Sequence, residues 1–286
     1  MSEFPRVVKT LRGEDGASFK FLWQIASSVT YESGFYHYDD YDSVCVSSQV
    51  GCNVGCLFCV TGRSVNKRNL TPEEIVQQVS STDELRRSGY PLKVSFQGMG
   101  EPLHNYASVV AAIAKLRSED PRADIIGIST VGFPKLIDRL RTDAPGLKLQ
   151  ISLHAPDDEL RHKLIPKSRG VAAEDVLAAA QRYVAETEGK LVFNYLLLDG
   201  INDTLSHGRR LAALVRPYLT TAQLKISRYN MDEQIPYQPS DEQTAERFVD
   251  LLRTEGIRTY EFRSKGVDIQ SGCGQLRGHS AETGVS

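Results

Sequence analysis

Apolar and polar side chains alternate near the start of the chain, which is typical of a strand with one buried face. The apolar positions are Phe19, Phe21, Trp23 and Ile25. Lys20 lies between them, on the side that a half-buried strand turns to solvent. A second such stretch, residues 29–32, follows Ser27-Ser28, so we predict a β-hairpin with its turn at the two serines. We assign residues 1–42 to an N-terminal hairpin extension.

From residue 43 onwards, short apolar runs alternate with amphipathic helical segments. The apolar runs, which we predict to be buried parallel strands, cover residues 43–48, 93–96, 125–129, 147–154, 191–198 and 224–229. The helical segments begin at Thr71 and cover residues 106–118, 134–142, 172–187, 205–217 and 241–256. Strict alternation predicts an α/β fold with a parallel sheet, here a partial (βα)6 TIM-like barrel. No linker divides residues 43–286, so we predict one barrel domain that ends in a C-terminal tail.

Composition indicates a globular chain without a membrane segment. Hydrophobic residues make up 41% of the 286 residues and charged residues 24%, which is ordinary for a soluble domain. The N-terminus lacks the apolar core of a signal peptide, and no run of about 18 apolar residues occurs. An odd count of five cysteines does not suit a disulfide scaffold, so we expect a reducing, cytoplasmic location.

The net charge neither demands nor excludes a nucleic-acid substrate. Lys and Arg number 34 against 36 Asp and Glu, which gives a net charge of −2. Proteins that contact phosphate backbones usually show a basic balance or a basic patch. Basic runs occur at residues 63–68 and 161–169, and we interpret them as solvated surface, the commoner meaning of a short charge run.

Cys52, Cys56 and Cys59 have the spacing C-x3-C-x2-C. Three thiolates on one short loop can bind three irons of a cubane 4Fe–4S cluster and leave the fourth iron without a protein ligand. That open iron is what a radical S-adenosylmethionine enzyme needs to bind its cosubstrate. A zinc site is less suitable, because zinc sites of this kind want four protein ligands, usually as two separated pairs. The motif therefore predicts a cluster and S-adenosylmethionine.

Polar side chains follow several of the predicted strands, at the edge where parallel barrels place their chemistry. The polar residues are Glu101, Ser129, Ser152, His154 and Asn230, and Gly98, Gly100 and Leu153 lie beside them in the same turns. The glycines allow a close approach of the backbone to a ligand, and Glu101 offers a carboxylate to an amino group. His154 alone is more typical of a packed or capping histidine, so we assign it a contact at most.

The two remaining cysteines, Cys45 and Cys273, lie far apart in the chain. A lone cysteine is usually a small buried hydrophobe. Cys273, however, lies in a polar tail between Gly272 and Gly274, where hydrophobic company is scarce. We therefore expect Cys273 to be exposed and nucleophilic, which requires thiolate character.

Several motifs together resemble the RlmN/Cfr family of radical S-adenosylmethionine methyl synthases, which methylate adenosine in RNA. The shared motifs are Cys-Val-Ser-Ser-Gln-x-Gly-Cys from Cys45, residues 67–71, residues 98–101, residues 152–156, residues 200–203 and residues 273–276. The resemblance runs from about residue 18 to Leu276 and implies the partial barrel of the radical S-adenosylmethionine type. The family carries an N-terminal RNA-associated helical domain, whereas this chain begins almost at the hairpin, so we expect a reduced docking apparatus.

The resemblance also implies roles for individual residues. Cys52, Cys56 and Cys59 match the cluster ligands, and the strand-end set of Gly100, Glu101, Ser129, Ser152, Leu153, His154 and Asn230 matches the S-adenosylmethionine contacts. Cys273 matches a cysteine that is itself methylated, and Cys45 matches the cysteine that resolves the protein–substrate adduct. Glu32 matches a proton acceptor, although its pattern alone would make it a surface strand residue.

The implied chemistry consumes two S-adenosylmethionine molecules for each methyl group delivered. One methylates Cys273, and the other is cleaved to a 5′-deoxyadenosyl radical that takes a hydrogen atom from the S-methyl group. The resulting methylene radical adds to an sp2 carbon of adenine. Proton loss and attack by Cys45 release the product and leave a Cys45–Cys273 disulfide, and an external electron donor of the flavodoxin type supplies electrons.

Three hypotheses for the function follow. The first is methylation of an adenine carbon in RNA. The second is the same chemistry on a small nucleotide or another heteroaromatic compound. The third is a non-catalytic iron–sulfur or RNA-binding protein, which would not need Cys45 and Cys273.

Overall fold

The structure is a computed structural model that describes residues 4–26, 29–64, 66–119 and 122–278. It divides into two compact units. The first unit comprises residues 1–53, 59–128 and 265–286, and the second comprises residues 54–58 and 129–264. The assignment of residues 1–42 and 43–286 to separate domains stays a prediction. Within the described ranges, no helix is long and apolar enough to cross a membrane.

The first unit contains a mixed sheet. Its strands, in sheet order, are β1 (Arg6–Arg12), β2 (Ser18–Ala26), β3 (Val29–His37), β4 (Asp42–Val46), β7 (Leu92–Phe96) and β8 (Ile125–Thr130). Pairing is antiparallel from β1 to β4 and parallel from β4 to β7 and from β7 to β8. A separate pair of two-residue strands, β5 (Gln49–Val50) and β6 (Arg68–Asn69), follows β4. Helices α1 (Pro72–Ser80) and α2 (Tyr106–Ser118) complete this unit.

The second unit is an α/β arrangement with parallel strands. Its strands, in sheet order, are β9 (Lys148–Ser152), β10 (Lys190–Leu197), β11 (Ala222–Arg228) and β12 (Thr259–Phe262). Its helices are α3 (Pro134–Asp143), α4 (Asp158–Leu164), α5 (Ala173–Thr187), α6 (Leu205–Val215) and α7 (Glu242–Thr254). The inner strands are almost wholly buried, as expected for parallel strands covered by helices.

The predicted hairpin is confirmed as the antiparallel pair β2 and β3, while its predicted turn at Ser27-Ser28 lies outside the described residues. The predicted parallel strands and helices are also confirmed, with ends that move by a few residues. Four of the described strands were missed, namely β1, β12 and the two-residue strands β5 and β6. The edge strand β1 is exposed along nearly its whole length, so its sequence carries no alternation of apolar and polar residues. Strand β12 has four residues, which is too short for a periodic signal.

Helix α1 begins with a capping box directly after β6. The hydroxyl of Thr71 accepts a hydrogen bond from the Glu74 backbone N–H at 3.2 Å, and the Glu74 carboxylate accepts one from the Thr71 N–H at 2.8 Å. Pro72 occupies the first turn, where its missing N–H costs nothing. Arg68 donates to the same carboxylate at 2.7 Å. These contacts fix the point at which the chain leaves the loop after β5 and becomes helical.

Replacing Thr71 with alanine should lower the free energy of unfolding by about 1 kcal/mol, because the Glu74 N–H loses its acceptor. Denaturant unfolding under anaerobic conditions measures this difference. Thr71→Ser keeps the hydroxyl and should retain most of the wild-type stability. Equal unfolding midpoints for Thr71→Ala and the wild type would show that the cap does not stabilise this helix.

Candidate active site

The three clustered cysteines lie on the loop between β5 and a short 3₁₀ helix at Val60–Arg63. The thiols of Cys52, Cys56 and Cys59 belong to half-buried residues. Gly51 has φ +70°, and a Cβ added there would lie 2.5 Å from the backbone oxygen of Asn66. Only glycine fits at that point, because both the left-handed backbone and the close approach exclude a side chain. The loop is thus tightly turned just before its first cysteine.

The middle part of this loop, residues 54–58, belongs to the second unit. The Leu57 N–H donates to the backbone oxygen of Leu164 in α4 at 3.0 Å. The ring of Phe58 meets the ring of His154 edge to face, with 5.0 Å between the ring centres. The segment that carries Cys56 is therefore attached at two consecutive residues.

Arg161 of α4 is fully buried, with 0% of its surface exposed. Its Nη2 donates to the backbone oxygen of Val131, whereas Nε and Nη1 have no hydrogen-bond partner among the described residues. Burial lowers the pKa of the guanidinium, and the charges of Asp158 and of the Cys56 thiolate raise it. The interpretation of residues 161–169 as solvated surface is therefore wrong for Arg161.

A bound iron–sulfur cluster fits these residues. A buried cation with two unpartnered nitrogens is costly unless an anionic group lies beside it, and a cluster ligated by Cys56 would supply that negative charge. Among the described residues, no three Cys, His, Asp or Glu side chains form a group that could hold a metal ion. A cubane binds each thiolate to a different iron, so its ligands need not converge on one point. Burial raises the pKa of the Cys59 thiol, and coordination by a metal would hold such a thiol as thiolate.

The loop after β7 packs against the chain just before the cysteines. A Cβ on Gly98 would lie 2.7 Å from Ser47 Oγ, and one on Gly100 would lie 2.7 Å from Gln49 Cβ. Gly100 also has φ +101°. Glu101 is buried, and its carboxylate accepts a hydrogen bond from the Leu103 N–H at 3.0 Å, which caps a 3₁₀ turn. The close approach that these glycines permit is thus to residues 47–49, and Glu101 has a structural partner.

In the second unit, polar groups meet at the ends of neighbouring strands. The hydroxyl oxygens of Ser129 and Ser152 are 3.3 Å apart, and both residues are half-buried. The side-chain amide of Gln150 donates to Ser129 Oγ at 3.0 Å. Leu153 is buried, and its N–H donates to the Asn194 backbone oxygen at 3.0 Å. The structure therefore brings Ser129, Ser152 and Leu153 together at one edge of this unit.

Asn230 follows β11 and is mostly buried. Its side-chain amide donates to Ser264 Oγ at 2.9 Å. Ser264, which follows β12, therefore fixes the orientation of the Asn230 amide within the second unit.

His154 is buried in a left-handed backbone conformation with φ +57°. Its Nδ1 accepts a hydrogen bond from the Leu196 N–H at 3.0 Å, and its backbone oxygen accepts one from the Asn202 side-chain amide at 2.9 Å. An acceptor Nδ1 must carry no proton. Burial, with the charges of Arg161 and Lys225, lowers the pKa of His154 to about 3. The ring is therefore neutral, and the expectation of a packed histidine is confirmed.

Cys45 lies opposite Gly34 in the pairing of β4 with β3. The phenol of Tyr36 folds over Gly34, where any side chain would overlap it. The Tyr36 hydroxyl donates to the Ser271 backbone oxygen at 2.5 Å. Burial raises the pKa of this phenol, and the nearby charges of Cys45 and then Cys273 raise it as well. The phenol of Tyr36 thus packs over Gly34, the strand partner of Cys45, and bonds to Ser271, two residues before Cys273, although some 230 residues separate the two cysteines in the chain.

Cys273 is exposed, as predicted, and it lies within residues 270–277, which we call the Cys273 loop. The backbone on both sides of the cysteine is hydrogen-bonded to the rest of the first unit. Before the cysteine, the Ser271 oxygen accepts from Tyr36 Oη at 2.5 Å. After it, the Gly274 oxygen accepts from the Val60 N–H at 3.0 Å, the Leu276 oxygen from Thr61 Oγ1 at 2.5 Å, and the Arg277 oxygen from Ser64 Oγ at 3.3 Å. The thiol is thus presented on an anchored loop. No disulfide joins any of the five cysteines, all of which are described.

Glu32 is fully buried, with 0% exposure, so the surface position that its pattern suggested is wrong. Its Oε2 accepts a hydrogen bond from the Arg277 N–H at 3.0 Å, and its Oε1 lies 3.2 Å from Lys20 Nζ. The sheet face that carries Glu32 is covered by the Cys273 loop instead of by water. The covering segment lies more than 240 residues further along the chain, beyond the reach of local pattern.

Three residues around the site were missed by sequence reasoning, namely Lys20, Tyr36 and Arg161. Lys20 and Tyr36 lie on the same sheet face as Glu32, because Lys20 pairs with Gly34 and because Glu32 and Tyr36 each lie two residues from Gly34 along β3. That alternation was visible in the sequence, but nothing local indicated that the face would be buried. Arg161 lies on a seven-residue helix, which is too short to give a clear helical period.

Comparison with known proteins defines the class of this chain. The family model of the radical SAM superfamily matches residues 46–205, more than half of the chain, so the chain belongs to that superfamily. Membership implies a 4Fe–4S cluster and S-adenosylmethionine as cofactors. A radical SAM methyltransferase of Sphaerobacter thermophilus superposes with a TM-score of 0.90 at 35% identity and covers 97% of this chain and 82% of its own. A spore photoproduct lyase variant, at 14% identity and a TM-score of 0.54, shares the fold alone and covers 77% of this chain and 76% of its own.

Curated relatives give the family more narrowly. A protein of Frankia alni named "Probable dual-specificity RNA methyltransferase RlmN" is 38% identical over an alignment 285 residues long, which covers 96% of this chain and 68% of the relative. A protein of the same name from Rhodopirellula baltica is 37% identical over 95% of this chain and 73% of its own. The chain belongs to the RlmN family, which confirms the resemblance.

Replacing His154 with glutamine should make stability less sensitive to mild acid. Because the folded pKa lies near 3 and the ordinary value is 6.5, the unfolded chain gains a proton below pH 6.5 and the folded chain does not. In the wild type, the free energy of unfolding should therefore fall by about 1.4 kcal/mol for each pH unit below 6.5. His154→Gln should lack this contribution. Urea unfolding of wild type and His154→Gln between about pH 7 and 5 measures the slope.

His162→Gln, at a half-buried histidine of the same unit, is the matched control and should keep the wild-type slope. An equally steep loss of stability in His154→Gln would show that another group causes the acid sensitivity.

Proposed function

We propose that this protein is an RNA methyltransferase that builds a methyl group onto an sp2 carbon of adenine through a methylated Cys273. The observation that supports this most directly is that Tyr36 packs over Gly34, the strand partner of Cys45, and bonds to Ser271, two residues before Cys273. Neither cysteine is needed to hold a cluster, so we assign both a separate role in the reaction. The RlmN relatives are named as dual-specificity RNA methyltransferases, which favours RNA as the substrate.

Cys52, Cys56 and Cys59 would hold the cluster, with Arg161 next to Cys56 as a compensating charge. Gly100, Glu101, Ser129, Ser152, Leu153, His154 and Asn230 are the proposed contacts of S-adenosylmethionine. When bound, these cofactors supply a methyl group and a radical that removes a hydrogen atom. His154 stays neutral at physiological pH, so it would contribute shape and a hydrogen bond instead of charge.

Cys273 is the proposed nucleophile because it combines exposure with anchoring. A loop held on both sides keeps the thiol at a fixed place, and proximity of this kind lowers the entropic barrier of group transfer. Exposure of Cys273 lets it meet a base presented by a large RNA. Two S-adenosylmethionine molecules would be consumed for each methyl group that reaches the substrate.

Cys45 is the proposed resolving thiol. It lies on the same sheet face as Glu32 and Tyr36, and it is half-buried. After loss of the ring proton, the adduct would give up its unpaired electron, which an oxidised cluster could accept. Attack by Cys45 on the sulfur of Cys273 would then form a disulfide and break the sulfur–methylene bond, with the Cα atoms within about 4.4–6.8 Å at that stage. The methylene carbon would take the proton that the Cys45 thiol loses, which completes the methyl group. An external one-electron donor would provide electrons, and a thiol reductant would restore both cysteines.

Glu32 is the proposed proton acceptor. Its carboxylate lies between the hairpin and the Cys273 loop, with contacts to Lys20 and Arg277. A base in this position would take the proton that the ring carbon loses when the adduct breaks down. Its low exposure keeps bulk water from competing for that proton.

The first test is methylation of Cys273. Peptide mass spectrometry of the reconstituted protein after anaerobic incubation with S-adenosylmethionine should find one added methylene mass on Cys273. Cys273→Ala should show no such addition, and Cys45→Ala should keep it. Incubation with total RNA and a reductant, followed by nucleoside analysis, should then detect a C-methylated adenosine in the wild type. An unmodified Cys273 would contradict the proposed function.

The second test concerns Cys45. In Cys45→Ala the adduct between Cys273 and RNA cannot be resolved, so a covalent protein–RNA species should accumulate and methylated nucleoside should be absent. Electrophoresis after nuclease treatment measures the adduct. Normal turnover by Cys45→Ala would show that another group resolves the intermediate.

A further inference from the structure

Lys20 and Glu32 form a buried ion pair on the hairpin. Lys20 Nζ lies 3.2 Å from Glu32 Oε1, and their side chains are 5% and 1% exposed. Lys20 pairs with Gly34 across β2 and β3, and Glu32 lies two residues before Gly34 on the same sheet face. Each charge would be strongly destabilising without the other, because neither can reach water. The two side chains therefore behave as one unit.

The pair also connects the two ends of the Cys273 loop. Lys20 Nζ donates to the backbone oxygen of Gln270 at 3.4 Å, and Glu32 Oε2 accepts from the Arg277 N–H at 3.0 Å. Gln270 has φ +53°, a left-handed conformation that is costly for a residue other than glycine and needs its surroundings to hold it. Each charged partner thus holds one end of the loop, and the ion pair joins the two.

We propose that the Lys20–Glu32 pair is a clasp that holds the Cys273 loop in place only while both side chains are charged. Lys20 is in this sense a positioning residue, since it acts on Cys273 through Glu32 and Gln270. The inference rests on the proposed function only for the role that it gives to Cys273. The clasp itself follows from the contacts.

The clasp would link proton transfer to release of the loop. Under the proposed function, the substrate C–H bond breaks, its electron pair stays with the substrate, and the proton forms an O–H bond on Glu32. The neutral carboxyl then no longer balances Lys20, and its hydrogen bond from the Arg277 N–H weakens, because bonds to ionised acceptors are stronger. Both ends of the loop loosen at the same step, after the methylene carbon of Cys273 has bonded to the base and before Cys45 attacks the sulfur.

Hydrogen–deuterium exchange of the cluster-loaded protein tests the clasp without any turnover. Lys20→Met removes the cation, and Glu32→Gln imitates the protonated carboxyl. In both variants the amides of residues 270–277 should exchange at least about tenfold faster than in the wild type, a factor that corresponds to about 1.4 kcal/mol. Alkylation of Cys273 by a maleimide, measured by peptide mass spectrometry, should show the altered loop independently.

Two further variants separate positioning from general destabilisation. Lys20→Arg keeps the charge and should restore most of the protection, whereas Lys9→Met, at an exposed lysine of β1, should change nothing. If a single variant does not fold, the double variant Lys20→Met with Glu32→Gln carries the test, because removing both charges leaves no unbalanced charge. In the double variant the hairpin amides should stay protected while the loop amides exchange quickly.

Unchanged protection of residues 270–277 in Lys20→Met and Glu32→Gln would overturn the clasp. Equal loosening of the hairpin and the loop would also overturn it, since that pattern reports loss of the fold. Neither result depends on methylation of Cys273. The clasp and the proposed function can therefore fail separately.

Discussion

Glu32 joins four parts of the first unit through its backbone and its carboxylate. Its N–H donates to Met99 Sδ at 3.2 Å, in the glycine-rich loop after β7. Its backbone oxygen accepts from Ser47 Oγ at 2.5 Å, in the loop after β4. Its carboxylate meets Lys20 of β2 and the Arg277 N–H of the C-terminal tail. A charge this deeply buried persists only with its partners in place. Glu32 therefore holds the two loops through its backbone and holds β2 and the C-terminal tail through its carboxylate.

In the second unit, Arg161 is likewise a deeply buried charge that needs partners. The guanidinium is buried, and two of its nitrogens have no hydrogen-bond partner among the described residues. Its positive charge acts on Cys56 and His154. His154 stays neutral beside this charge, and a thiolate-bound cluster would balance it with negative charge. The two units thus each place a buried cation beside a group on which the proposed chemistry depends, Glu32 in one and Cys56 in the other.

Much of the fold was predictable because its signals are local. The alternation along β2 and β3, the capping box at Thr71 and the apolar parallel strands each arise from contacts within a few residues or from burial on both faces. Strand β1 escaped prediction because an exposed edge strand needs no apolar pattern. Lys20 was assigned to solvent as a polar position of a half-buried strand, and Arg161 as part of a short basic run. A pattern cannot reveal which polar face another segment will cover.

For the site, the sequence alone determined the chemical groups and their spacing. Three thiols within eight residues specify a cluster loop, and a cysteine between two glycines specifies an exposed thiol. Only the tertiary structure decided that Tyr36 connects the strand pair of Cys45 with the Cys273 loop and that Glu32 is buried against Lys20. The physical reason is that these contacts join residues far apart in the chain. Their formation depends on strand order and on the path of the tail, which the pairing of the whole first unit sets.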